Sequence, residues 1–156
     1  MSNFKFLQNE WMPIYREANE AESLTFTSPK ACAIICRSAL EKMVHWLYAN
    51  DPDLEEPYDT RLSSLMHEQC FKDILKPSMF REINLVRKFG NNAAHGNSIR
   101  KEESLVAIKN LFRFLSYVAI YYSEDEPTIP QFDESVLPTG AEKKERLEEL
   151  KLLEQQ

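Results

Sequence analysis

Residues 28–50 read SPKACAIICRSALEKMVHWLYAN, and this run decides the fold. Ser28 followed by Pro29 is a helix start signal. Serine suits the N-cap, and proline fits the first helical position because the amide it lacks would have no partner there. Cys32, Ile35, Cys36, Ala39, Leu40, Met43, Val44 and Leu47 then recur at helical spacing and make one apolar face. Lys30, Arg37, Ser38, Glu41 and Lys42 fall on the other face. Arg37 and Glu41 stand one turn apart and can pair. Asp51-Pro52 ends the helix near Asn50, since a residue before proline is pushed out of helical conformation. So long an apolar stripe requires other elements to cover it.

The flanking segments read the same way. Upstream, Phe4 to Ser23 has helical composition and offers Trp11, Ile14, Tyr15 and Ala18 to one face. Pro13 either ends a first short turn or sits near the start of the main helix. Downstream, Asp51 to Asp59 is a loop with two prolines. Thr60 is expected to cap a short helix containing Leu62, Leu65 and Met66, and a second short piece covers Phe71 to Leu75. Pro77 opens a helix that turns Phe80, Ile83, Val86 and Ala93 inward. Gly90 interrupts its propensity, which marks close packing or function. Gly96-Asn97 ends it. The last body helix is expected to begin near Ser98, with Leu105, Ile108, Phe112, Leu115, Ala119 and Tyr122 as its stripe. No run alternates apolar and polar residues over the length of a strand. The predicted fold is all-α: a compact antiparallel bundle of four to five helices over residues 1–123.

A chain of 156 residues has room for one domain of ordinary size and a short appendage. With 43% hydrophobic and 28% charged residues, disorder throughout is excluded. Only 3 glycines and 8 prolines speak against collagen-like and turn-rich all-β chains. The net charge of -6 speaks against a strongly basic nucleic-acid binder as a whole. Yet residues 124–156 hold ten acidic and four basic side chains, so the tail carries the entire excess and the neutral body can bear a local basic face. Residues 124–140, with three prolines and five acids, read as an acidic linker. Residues 141–156 return to helical composition, with Leu147, Leu150 and Glu154 at heptad-like spacing. They are expected to start a coiled coil leading to further domains, because so short a helix is marginal alone.

Cys32, Cys36 and Cys70 are odd in number and form no C-x-x-C pair, so they read as buried free thiols of a reducing cytosol. His45, His67 and His95 are scattered, and no metal or other cofactor is expected. There is no P-loop, and no nucleophile stands beside a base. The opening Met-Ser-Asn-Phe-Lys lacks an apolar signal core. The most apolar stretch, Leu105 to Tyr122, is interrupted by Lys109, Asn110 and Arg113 and reads as a buried helix rather than a membrane span. A cytoplasmic location is expected.

Residues 81–96 carry the functional signal. Arg81, Asn84, Lys88, Asn91 and His95 lie at offsets that put them on one helical face, with Arg87 and Asn92 beside it. Arg100 and Lys101 follow at the next helix start. Cations, amides and an imidazole without a carboxylate suit an anionic ligand, including a phosphate backbone. The plainer alternative is a solvated surface with His95 at a helix end, where the dipole favours an imidazolium.

The run Arg87-Lys88-Phe89-Gly90-Asn91-Asn92-Ala93-Ala94-His95-Gly96 resembles the signature of a HEPN-like domain of unknown function. That domain sits at the N-terminus of type I restriction enzyme R subunits and related helicases. The opening Asn3 to Leu7, the Ser28-Pro29 helix with Arg37 and Glu41, Trp46-Leu47-Tyr48, the short helix Leu62 to Glu68 and Tyr121-Tyr122 agree with it, so the resemblance covers roughly residues 3 to 123. It implies a module joined to a motor that would supply ATP-driven DNA translocation and a nuclease. It also implies nucleic acid, other subunits of a restriction complex or a second copy of the chain as partners, and no membrane.

HEPN ribonucleases use an Arg, a polar residue directly after it, and a His four residues beyond. Asn91 and His95 match the last two positions, but Gly90 stands where the Arg should be. Arg87, about one turn upstream, or Lys88 would have to supply the cation, with His95 as acid or base. Three functions follow. The first is a non-catalytic accessory module that binds nucleic acid or a partner through Arg81, Arg87, Lys88, Asn91, Asn92, His95, Arg100 and Lys101, supported by Arg37 and Glu41. The second is a HEPN-type metal-independent ribonuclease acting in defence, with His95, Asn91 and Arg87 catalytic. The third is a structural dimerisation bundle. Gly90 favours the first.

Overall fold

The computed structural model describes residues 1–155, and the side chains of 1–141 and 145–155. A single 3-10 turn, Lys5–Leu7, leads into helices α1 (Met12–Leu24), α2 (Pro29–Asn50), α3 (Leu62–His67), α4 (Gln69–Asp73), α5 (Pro77–Ala94) and α6 (Lys101–Tyr122). A second 3-10 turn, Glu134–Val136, precedes α7 (Ala141–Glu154). No strand occurs among the described residues. The fold is the expected all-α bundle. Its body is built from four long helices, α1, α2, α5 and α6, and the two short pieces α3 and α4 stand as separate helices between them.

Helix α2 is the centre, packed on α1, α5 and α6. Its expected stripe is buried from Cys32 to Leu47 except for Ile35, and Ala33 and Tyr48 join it. Ile35 is half-buried against the same core. Helix α6 buries Ile108, Phe112, Leu115 and Ala119 as expected, and also Ala107, Leu111, Phe114 and Val118. Covered from several sides, it tolerates the polar residues that interrupt its sequence by using them as ties. The Ser104 hydroxyl donates to Thr25 O at 2.6 Å, and the Asn110 amide donates to Glu82 O at 3.0 Å. Lys101–Tyr122 is long and apolar enough to cross a membrane, yet 56% of its most apolar window is buried within the bundle.

Several local expectations shift. Of the two places expected for Pro13, the structure shows the second, the first turn of α1. Ser28 holds the N-cap position of α2 without a side-chain cap hydrogen bond. Arg61, not Thr60, is the N-cap of α3, because the Asp59 carboxylate takes up the Arg61 amide and starts the turn one residue later. Phe80 is half-buried rather than central, its ring edge-on to His67. Helix α6 begins at Lys101 rather than near Ser98, since Glu103 reaches back to accept from the Arg100 amide at 3.0 Å. Cys32 and Cys36 are buried free thiols, whereas Cys70 is only half-buried.

The segment read as a linker, 124–140, lies against the body. Phe132 meets Phe112 edge-on at 5.2 Å, Glu134 pairs with Lys109 at 3.1 Å, and Leu137 is buried. Asn3 clasps it from the other end. The Asn3 side chain accepts from the Asp133 amide and donates to Asp133 O, while its own amide donates to the buried Glu22 carboxylate. Helix α7 then follows with Leu147, Leu150, Leu152 and Leu153 all more than half exposed. Gln156, the last residue of the expected terminal helix, lies outside the described residues.

Candidate functional site

The site begins with a residue that has no side chain. Gly90 is buried where α5 meets α2, and a β-carbon added there would stand 2.4 Å from Arg37 Cβ, 2.8 Å from Arg37 Cδ and 3.0 Å from Ala33 O. Real β-carbons do not approach that closely. The missing side chain therefore lets the stem of Arg37 cross the surface of α5, and the close-packing expectation for Gly90 holds.

That crossing forms one wall of a pocket of about 380 Å³. Helix α2 contributes Arg37 and Glu41, α5 contributes Arg87 and Asn91, and α3 with its N-cap contributes Arg61, Ser63 and Ser64. Arg37 donates through Nη1 to Glu41 at 3.0 Å, the expected pair one turn apart. Its Nε is buried with no hydrogen-bond partner among the described residues. Arg87 is aimed by its own helix: Nε and Nη2 donate to Asn84 Oδ1 at 3.1 and 2.9 Å, which leaves Nη1 out of that fork.

Arg61 is exposed and forked onto Asp59, with contacts of 2.6 to 3.0 Å. The Arg61 guanidinium and amide hold the Asp59 carboxyl below the usual carboxylate range. Arg87 thus has a donor to spare, and among the described residues Glu41 is the only carboxylate lining the pocket. A recess with converging guanidinium, hydroxyl and amide donors suits an oxyanion.

The face predicted from α5 does not act as one unit. Asn91 and Arg87 enter the pocket, with Asn84 behind Arg87. Arg81 borders a different hollow, beside Lys72, Pro77 and Phe80. Lys88 and Asn92 are exposed and outside the pocket lining. His95 is the exposed C-cap of α5, its amide bonded back to the helix, and it does not line the pocket either. Arg100 is turned to Glu103 at the start of α6, and Lys101 is exposed there. The helix accounts for the division. At about 100° per residue, Arg87 and Asn91 lie roughly 40° apart on the edge next to α2, whereas Arg81 and Lys88 lie farther round. Arg37 and Glu41, expected as supporting residues, are wall residues.

Sequence reading missed Arg61, Ser63 and Ser64. They follow a proline-containing loop and carry no spacing signal, since their position depends on how that loop returns to α2. Of the remaining histidines, His45 is exposed with Nε2 3.9 Å from Glu41, and His67 contacts Ser63 O through Nδ1 at 2.7 Å. Among the described residues no three His, Cys, Asp or Glu side chains come together as a metal site. A larger groove of about 700 Å³ between α6 and the start of α5 is mainly apolar, with Ile74, Met79, Tyr117, Ile120 and Tyr121 on its walls.

A family model described as a domain of unknown function, DUF4145, matches residues 19–151. The match spans the whole pocket and continues through the 124–140 segment into α7. Comparison with curated proteins and with solved structures finds no match.

Proposed function

The chain belongs to the DUF4145 family, and from that premise we propose that it is a non-catalytic accessory module that binds nucleic-acid phosphate in the pocket between α2 and α5. The observation that carries this reading is the convergence of Arg37 and Arg87, from facing helices, on one cavity with Ser63, Ser64 and Asn91. Arg87 adds Nη1, which lies outside the fork that its Nε and Nη2 make with Asn84. Neutralising a phosphate with guanidinium donors is the main source of affinity in such complexes, and it makes binding salt-dependent.

The likeness of residues 87–96 to the HEPN-like domain of type I restriction R subunits supports placing the module on a DNA-translocating machine in the cytoplasm. There it would hold nucleic acid beside the motor, or dock a subunit of the same complex. The HEPN-type ribonuclease reading draws support from Asn91 and Arg87 sharing the pocket. It is the weaker of the two, because the acid-base group it needs, His95, stands at the exposed end of α5.

The test is binding of single-stranded DNA, duplex DNA and single-stranded RNA by the whole chain over a range of salt, beside Arg87→Gln. The reading predicts affinity that falls linearly with salt on logarithmic axes, with a slope of about -0.7 per neutralised phosphate on a single strand. Arg87→Gln should make that slope shallower by about one contact. Absence of binding to all three removes the reading. RNA cleavage that vanishes in His95→Ala replaces it with the ribonuclease.

A further inference from the structure

We infer that the pocket between α2 and α5 takes a terminal phosphate, the phosphomonoester at the end of a nucleic-acid strand, in preference to an internal phosphodiester. This rests on reading the pocket as a nucleic-acid phosphate site and names which phosphate it selects.

The first argument is shape. A protein that follows a strand sets its cations in a row along the backbone path. Here the exposed cations Lys88, Arg100 and Lys101 stay outside the lining, and Arg81 borders another hollow. The guanidiniums of Arg37 and Arg87 instead line one pocket walled by α2, α5 and the start of α3. An internal phosphate carries two ester substituents, and both must leave the recess. A terminal phosphate carries one, so it can enter end-on.

The second argument is chemistry. A phosphomonoester presents three terminal oxygens and carries about -1.5 to -2 charges at neutral pH. A backbone phosphodiester presents two such oxygens and one charge. The pocket offers donors beyond what two oxygens use: Nη1 of Arg87, the hydroxyl of Ser63 and the Asn91 amide. Its walls hold more guanidinium than carboxylate, and attraction to that excess grows with ligand charge. Gly90 fixes the arrangement, since any larger residue would push Arg37 out of line.

The experiment compares one short single-stranded oligodeoxynucleotide carrying either a phosphate or a hydroxyl at its 5′ end, dye-labelled at the other end, by fluorescence anisotropy with the whole chain. The phosphorylated strand is expected to bind about tenfold tighter at equal salt. That ratio should fall toward one in Arg87→Gln, and also in Ser63→Ala, which guards against a folding defect in the first variant. AMP should compete, but more weakly than the phosphorylated strand. Equal binding of both strands, lost together in Arg87→Gln, overturns the inference and leaves the pocket a general phosphate site. AMP binding as tightly as the phosphorylated strand also overturns it, in favour of a free mononucleotide. Failure of both strands to bind overturns both this inference and the reading beneath it.

Discussion

Arg37 lies across Gly90 so closely that a single methyl group on the glycine would stand 2.4 Å from Arg37 Cβ. The contact links fold to site: it sets how near α2 and α5 approach, and it sends a guanidinium into the pocket between them. Gly90→Ala therefore overpacks the crossing. The expected cost is about 1–3 kcal/mol, read as a lower urea midpoint with unchanged slope. Anion binding should weaken in the same variant, because Arg37 has to move. Unaltered stability would mean that the helices separate freely at this point.

The centre of the bundle predicts larger losses. Leu40 on α2 and Leu115 on α6 are fully buried. Leu40→Ala and Leu115→Ala should each cost about 2–5 kcal/mol, from lost transfer energy plus the cavity left behind. Urea unfolding checks both, and a loss near zero at either site would contradict the packing described.

Glu41 is the one carboxylate on the pocket wall, so its removal separates binding from stability. Glu41→Gln deletes the pair with Arg37 on a half-exposed helix face, at a cost of only about 0.2–0.5 kcal/mol. It also removes repulsion against an anion, so affinity for a phosphorylated strand should rise about threefold to tenfold. Titration calorimetry or anisotropy measures it; weaker binding would place the ligand elsewhere.

Alkaline pH should destabilise the fold. Burial, chiefly, keeps Tyr48, Tyr117 and Tyr122 neutral above the ordinary tyrosine value of 10.0. Tyr122 also donates to Asp51 Oδ2 at 2.6 Å, a carboxylate that repels a phenolate. The folded state thus holds these protons more tightly than the unfolded chain. Their contribution is complete below about pH 10 and is lost as pH rises beyond it. The urea midpoint should fall across that range, and Tyr122→Phe should flatten the fall. A midpoint indifferent to pH there would contradict the burial of these hydroxyls.

Legibility in the sequence followed the range of the interactions involved. Helix α2 was readable because its stripe from Cys32 to Leu47 repeats at a local period and burial follows that period. Gly90 was readable as an exception inside such a pattern, although its partner Arg37 was not, since that contact joins two helices far apart in sequence. The same reason explains the split of the predicted face. Helical spacing groups Arg81 with Asn91 and His95, but the approach of α2 and of the start of α3 takes Asn91 from that group with Arg87 from beside it, and adds Arg61, Ser63 and Ser64. The segment 124–140 looked like a linker because its prolines and acids dominate its composition. Three spaced apolar residues, Ile129, Phe132 and Leu137, are what hold it to the body.

The most direct test of the pocket is to watch its arginines. In a nitrogen-15 labelled sample of the whole chain, the side-chain Nε–H signals of Arg37 and Arg87 can be followed while a 5′-phosphorylated oligonucleotide is added. The account predicts that these two signals shift most and saturate together. Largest shifts at Arg81 and Arg100, with Arg37 and Arg87 unmoved, would contradict it.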